Sequence, residues 1–291
     1  MSRVLVIGSD NPFTHAIGDS LSAAGIPIEY VAGPVGALQC IRTHSIAIVI
    51  TSPSSSIEED LSLLNEMRLI RPAIKFIVLA RSSTPEGVIA ALRARVFACY
   101  TPPFNIEEIA SIARQAASSN LRDDEISVLS ARPGWVTIRA NCRVLTADRL
   151  MTFARELSSQ IDEHARYEVL QGLREILLNA MEHGTAFNPE QMIDVTAIRT
   201  RRSIVFYVRD PGAGFRQKLI RTDVVANPGE DPIAFLRKQK EEDQYSGGFG
   251  LLLARGTVDE LLYSEIGNEA LLIKYLDGPP RELDPIPPLI H

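Results

Sequence analysis

Three clusters in the C-terminal half of this 291-residue chain have types and spacings suited to handling a phosphorylated ligand. In "LREILLNAMEHG", Glu175, Asn179 and His183 recur every four residues. On a helix that spacing drifts only about 40° per step, so the three polar side chains share one stripe. Val169, Leu173, Ile176, Leu177 and Ala180 fall on a different arc, which can pack on a sheet. A solvated polar face is the ordinary alternative, but asparagine is a poor helix former, and its place in mid-helix is better explained if its carbonyl serves a metal or ligand. In "DPGAGF", Asp210 ends a strand-like run and is followed by Gly212 and Gly214; in "SGGFGL", Gly248 and Gly250 open the run "LLLAR". Either glycine cluster alone reads as a turn. Together they offer a backbone that a ligand can approach closely and helix N-terminal N–H groups that can face anionic oxygens.

In this order, helix with Glu-x-x-x-Asn, strand ending in Asp-x-Gly-x-Gly-Phe, then Gly-x-Gly-Leu opening a helix, the clusters resemble the three boxes of the GHKL ATPase superfamily, whose nucleotide-binding layer is the Bergerat fold. The resemblance covers residues from about 135 to 277. It implies ATP and Mg²⁺ as ligands: Asp210 accepting from the exocyclic amine of adenine, Gly212 and Gly214 against base and sugar, Gly248 and Gly250 toward the phosphates, and Asn179 on Mg²⁺. The strings "NAMEHG" and "GGFGLLLAR" are similar to those of anti-sigma-factor serine kinases, which implies that Glu175 is the general base toward a protein serine or threonine hydroxyl. A non-catalytic ATP-responsive binding module is the alternative. A histidine kinase is a third, for which His164 in "QIDEHARYEV" lacks a surrounding acceptor motif and reads as a surface residue. The stretch 216–247 reads as a lid with six basic and six acidic residues, so some of Arg216, Lys218, Arg221, Arg237, Lys238 and Lys240 are candidates for phosphate contact. No G-x-x-x-x-G-K-[ST] occurs, which removes a P-loop NTPase.

The elements that must position these residues fall into two groups. From Arg3, "RVLVIG", "IPIEYV", "IAIVIT", "IKFIVLA" and "VFACY" alternate with helix-like segments, predicting an α/β domain over 1–120 with a doubly wound five-stranded parallel sheet of receiver or flavodoxin-like type. Residues 121–134, "LRDDEISVLSARPG", read as a linker, 135–277 as an α+β two-layer domain, and 278–291 as a proline-rich tail. The first domain resembles the response-regulator receiver. Aligning its hydrophobic runs puts Thr51 at the phosphoacceptor position, Ala80 at the hydroxyl position and Pro102 at the lysine position; of the acidic cluster only Asp10 remains. This departure implies a pseudo-receiver that docks a partner, dimerises or biases the ATPase domain.

Composition narrows the function classes. The net charge is −6, with 9 basic against 10 acidic residues up to residue 120 and 21 against 26 beyond it, so neither half has the basic surplus of a nucleic-acid binder. Apolar runs are far shorter than the ~20 residues of a membrane span, and the N-terminus carries no signal-peptide pattern, which leads to the expectation of a cytoplasmic protein. Cys40, Cys99 and Cys142 are odd in number and widely spaced, which suits reduced packing thiols. The expected function is an ATP- and Mg²⁺-dependent serine/threonine protein kinase. Its partner is expected to be an anti-sigma antagonist or a sigma factor, with a homodimer as a further possibility.

Overall fold

The computed structural model describes residues 3–8, 12–119, 126–214 and 248–278. The stretch 215–247, the tail from 279 and Asp10 lie outside the described residues, and with them the lid cations.

The first domain alternates strand and helix as expected. Its elements are β1 (Arg3–Ile7), α1 (Pro12–Ala23), β2 (Ile28–Val31), α2 (Pro34–Thr43), β3 (Ile46–Ile50), α3 (Ile57–Ile70), β4 (Lys75–Leu79), α4 (Pro85–Arg93), β5 (Ala98–Tyr100) and α5 (Ile106–Ser118). All strand pairs are parallel and the order is β2-β1-β3-β4-β5, the doubly wound arrangement shared by flavodoxin and receiver domains. Helices on both faces account for the uninterrupted apolar runs: Val4, Leu5, Ile48, Val49, Ile50, Phe76, Ile77 and Val78 are all fully buried. Helix starts are set locally. Ser56 and Glu59 form a capping box on α3, while Thr84 and Asn105 cap α4 and α5.

The second domain comprises β6 (Ile126–Arg132), β7 (Trp135–Asn141), α6 (Val144–Leu157), α7 (Glu163–Glu182), β8 (Met192–Arg199), β9 (Ser203–Arg209), α8 (Gly248–Thr257), β10 (Glu260–Tyr263) and β11 (Glu269–Tyr275). The six strands form an antiparallel sheet in the order β10-β11-β9-β8-β7-β6. Alternate side chains, among them Ile138, Val195, Phe206 and Leu272, turn toward α6 and α7 and make the core. Residues 126–132 correct the expected linker: they are the edge strand β6, paired with β7 from Ile126↔Ala140 to Arg132↔Trp135. The Pro-Gly pair that looked like a domain break is the hairpin turn, where Gly134 takes φ +79°.

The two domains share one continuous apolar core, in which Val88, Leu92 and Val96 of the first join Ile126, Ala147 and Leu150 of the second. Polar contacts frame it. Arg149 on α6 donates to the Phe97 carbonyl at 2.9 Å, with its guanidinium 4.3 Å from the centre of the Phe97 ring. Arg155 pairs with Glu108 at 3.0 Å, and Arg93 donates to the Ala131 carbonyl at 3.0 Å. Glu156, only 1% exposed, reaches into the first domain and accepts from Thr101 N at 3.0 Å, Thr101 Oγ1 at 2.8 Å and Ser83 Oγ at 2.9 Å. A buried carboxylate is tolerable here because three donors face it.

Candidate nucleotide-binding site

The site is built where α7, the end of β9 and the start of α8 meet. Asp162 caps α7 by accepting from His164 N and Ala165 N at 2.9 and 3.2 Å. Val169, Leu173, Ile176 and Leu177 are buried against the sheet, so the helix is held in rotation. Glu175 and Asn179 are left half-buried, one turn apart, on the stripe read from the sequence. His183, the third member, is the exposed C-cap of the helix.

Close packing of α8 on α7 brings the third cluster to the first. A Cβ added to Gly250 would lie 2.5 Å from Glu175 Oε2 and 3.8 Å from Asn179 Oδ1. The backbone of α8's first turn therefore sits directly over the carboxylate and the amide. Gly172, one turn before Glu175, permits the same approach, since a Cβ there would lie 3.0 Å from Thr257 Oγ1 and 3.1 Å from Val258 Cγ1. Gly248 begins α8, so the helix N-terminus opens on this side as expected.

The second cluster is organised around Asp210, which follows β9 and is 9% exposed. Its N–H donates to the Asn268 carbonyl at 3.0 Å, its own carbonyl accepts from Asn268 Nδ2 at 3.1 Å, and its Oδ1 accepts from Gly212 N at 2.8 Å. Burial pushes the carboxyl above the usual carboxylate range, opposed by the Gly212 N–H bond. A Cβ on Gly212 would overlap the Gly184 carbonyl, and one on Gly184 would overlap the Asp210 carboxylate. Gly214 takes φ +71° against the Ile266 carbonyl, which no side chain could share. Gly184 and Asn268 were not among the residues expected from sequence. Gly184 ends the quoted string "NAMEHG", so it was visible as a helix-ending glycine, whereas Asn268 in "IGNE" gave only a turn signal.

The described residues fit a magnesium nucleotide. They contain no cluster of three or more His, Cys, Asp or Glu able to cage a metal. Asn179 instead offers one carbonyl oxygen beside helix N-terminal backbone, and Mg²⁺ is usually held by one or two protein oxygens plus phosphate and water.

The second domain is a two-layer α+β domain, joined to a doubly wound parallel α/β domain. Residues 139–274 match the family model of the histidine kinase-like ATPase domain, a class that binds ATP and carries kinase-type activity. No curated protein sequence matches the chain. Among solved structures, a response regulator from Thermotoga maritima is similar at 19% identity and TM-score 0.36, covering 41% of this chain and 100% of that one. A receiver domain protein from Methanospirillum hungatei JF-1 is similar at 19% identity and TM-score 0.35, covering 40% and 92%. A two-component response regulator from Clostridium difficile gives 15% identity and TM-score 0.36, covering 40% and 95%. Strand order defines the first domain's fold. No helix of the described residues is long and apolar enough to cross a membrane.

Proposed function

We propose that this protein is an ATP- and Mg²⁺-dependent serine/threonine kinase of the anti-sigma-factor type, which binds and phosphorylates a regulatory protein, an anti-sigma antagonist or a sigma factor, in bacterial signalling. The observation that carries this reading is the packing of Gly250 against Glu175 and Asn179, which sets a carboxylate at the mouth of an anion-binding helix terminus. A base is useful there because the attacking hydroxyl must lose its proton as it meets the γ-phosphoryl group. Glu175 accepts that proton, the new bond forms between the hydroxyl oxygen and phosphorus, and the bond to the ADP oxygen breaks. Asp210 orients the base by accepting from the adenine amine, and Gly248 and Gly250 present backbone donors to the phosphates. Asn179 would hold Mg²⁺, which when bound neutralises charge on the transferring group.

The test is transfer of radiolabelled γ-phosphate to a candidate antagonist protein encoded beside this one, followed by acid treatment. An acid-stable phosphoester on serine or threonine supports the reading. Tight ATP binding without transfer would make the domain a binding module, and an acid-labile adduct would assign it to histidine kinases. In that case His164 is the residue to map, since it is exposed near the start of α7 with Glu168 3.5 Å away.

A further inference from the structure

One end of the molecule gathers arginines from both domains. Arg68 on α3 donates to the carbonyls of Ala94 and Arg95, which brings the C-terminal ends of α3 and α4 together. Arg93 on α4 donates in turn to the Ala131 carbonyl at 3.0 Å, so the end of α4 stands beside Arg132 of β6. Arg132 pairs with Trp135 across the β6–β7 hairpin, and the Gly134 carbonyl of that hairpin accepts from Arg199 N at 2.9 Å. The β8–β9 turn that follows carries Arg201 and Arg202. Thr200 Oγ1 fixes this turn by accepting from Arg202 N at 3.2 Å and Ser203 N at 2.9 Å. Arg93, Arg95, Arg132, Arg201 and Arg202 are all exposed, and Trp135 among them is 47% exposed. Among the described residues neither these five nor Arg68 form an ion pair, whereas Arg139, Arg155 and Arg209 face Asp194, Glu108 and Glu269.

Helix dipoles explain part of this stripe. Cations are favourable at helix C-termini, which accounts for Arg68, Arg93 and Arg95 at the ends of α3 and α4. Arg132 lies on a strand and Arg201 and Arg202 on a turn, where no helix end calls for them. Burial, and after it the like charge of Arg95, pull the Arg68 guanidinium below its usual value. Glu66, two residues before Arg68, and Asp277, next to the Leu276 whose N–H donates to the Arg202 carbonyl, bound the stripe at its two ends. The chain as a whole carries −6, so the positive stripe is a local feature set against the net charge.

We propose that this stripe docks an acidic, extended protein segment that lays one apolar side chain against Trp135. Arginine and tryptophan are enriched at protein interfaces, and lysine, absent from the stripe, is depleted there. The guanidinium fork also matches a carboxylate with two parallel bonds. With strands about 4.8 Å and packed helices about 9 Å apart, the stripe runs roughly 30 Å from α3 to the β8–β9 turn, the reach of about nine extended residues. A segment of that length crosses the domain boundary between Arg95 and Arg132 and contacts both domains at once. A nucleic acid or an anionic membrane carries its charge far beyond the stripe and meets the rest of a −6 chain, which a short segment does not. The stripe adjoins the start of β9, and Asp210 follows the other end of that strand, so docking leaves the candidate nucleotide site free. The inference does not depend on the phosphotransfer proposed above.

Fluorescence anisotropy of the full chain with a labelled peptide of about ten residues, glutamates and aspartates around a central Leu-Phe pair, tests it. Binding is expected at ~10–100 µM in ~50 mM salt and should weaken at least ~5-fold in ~300 mM salt. Arg132→Glu with Arg201→Glu should weaken it at least ~10-fold, and Arg95→Glu alone at least ~3-fold, while melting temperature and ATP affinity stay those of the parent. Trp135→Ala should cost ~3- to 10-fold without changing the salt dependence. Arg81→Glu, the same charge change at an exposed side chain just past β4, should leave binding within about 2-fold. If glutamates impair folding, glutamines at the same positions should weaken binding in the same order by smaller factors. A parent chain that shows no salt-dependent binding, or folded variants that bind as well as the parent, would overturn the proposal. An Arg95→Glu variant with parental affinity would refute a stripe that crosses the domains. A single-stranded oligonucleotide of the same length, or vesicles containing phosphatidylserine, bound more tightly than the peptide and released by the same substitutions, would overturn the acidic-protein assignment.

Discussion

Two strand ends in this molecule correspond to ligand positions, adenine after β9 in the proposed function and the phosphoryl group of a receiver after β3, and they are built in different ways. In the second domain, Asp210 follows β9, and glycines at 184, 212 and 214 let the backbone pack closely around it where a Cβ would not fit. In the first domain, β3 ends in Thr51, which is 1% exposed, accepts from Leu79 N at 2.9 Å and donates to Asp60 Oδ2 at 2.7 Å. The loop that follows β3 bridges Ser55 to Ala80, and Ala80 N is tied to the Tyr100 carbonyl at 2.9 Å. Thr51, the Asp60 carboxyl and the Ala80 N–H are thus satisfied within the domain. The neighbouring hydroxyls on Ser83 and Thr101 are bonded to Glu156 of the second domain. In the proposed function one strand end is left open to a ligand, and the other is closed and attached to the domain that carries that site.

The largest effect is expected in the second domain's proposed site. Glu175→Gln keeps size and hydrogen bonding but removes the proton acceptor, so ATP affinity should stay within a few-fold while transfer falls by roughly 10²- to 10⁴-fold. Equal loss of binding and transfer would make Glu175 structural and weaken the contrast. Next, Asp210→Asn replaces a buried acceptor by an amide that can present its donor edge. ATP affinity by calorimetry should fall by about 1.5–3 kcal/mol, or ~10- to 100-fold. Unchanged affinity would remove Asp210 from the base site.

A smaller effect is expected where the closed end meets the second domain. Glu156→Ala leaves Thr101 N, Thr101 Oγ1 and Ser83 Oγ without their acceptor in a buried contact, which should cost about 1–3 kcal/mol and lower the melting temperature of the full chain. If the two domains are energetically separate, the loss should instead be near zero, and nucleotide affinity should not respond at all. A folded variant with altered ATP affinity would show that the closed end biases the open one.

The contrast between the ends was legible in the sequence at the level of residue types. Thr51, Ala80 and Pro102 stand immediately after β3, immediately after β4 and two residues after β5, as aligning the apolar runs implied. Glu175 and Asn179 were legible because a four-residue repeat is a property of one helix. Glu156 and Arg149 were not, because within α6 they look like the polar side of an amphipathic helix, and only tertiary packing reveals that this side is buried in the first domain. The edge strand β6 was missed for a related reason. In "ISVLSAR" the register slips between Val128 and Ser130, leaving Leu129 half exposed, and the flanking charges and Pro-Gly pair resemble a linker more than a hairpin.

A finer test of the closed end uses pH. Burial raises the Asp60 carboxyl to about 7, against the bond from Thr51. Its unfolded value is 3.8, so between about pH 4 and 7 the unfolded chain releases a proton that the folded chain keeps. This group's contribution is therefore most favourable at acid pH and is lost as pH rises through that window. Asp60→Asn should melt close to the parent at pH 4 and be more stable by about 1–3 kcal/mol at pH 8. A variant that tracks the parent at both pH values would mean that Asp60 ionises freely, and that the end of β3 is more open than its hydrogen bonds indicate.

The smallest expected effect is none at all, and it is the sharpest statement of the contrast. Thr51 cannot form an acyl phosphate, Ala80 has no hydroxyl, and Pro102 has no cationic head to stabilise an added phosphoryl group. Asp60, the nearby carboxyl, is 4% exposed and faces Thr51, so it lacks the access of a nucleophile. Incubating the chain with acetyl phosphate or phosphoramidate at neutral pH should leave its intact mass unchanged. A stoichiometric, hydroxylamine-sensitive adduct mapping to residues 1–120 would break the comparison, because it would require a reachable ionised carboxylate in the first domain. If no adduct forms, any influence of that domain on nucleotide binding must travel through contacts such as Glu156 with Thr101, and its size is limited by how differently those contacts hold in two arrangements of the chain.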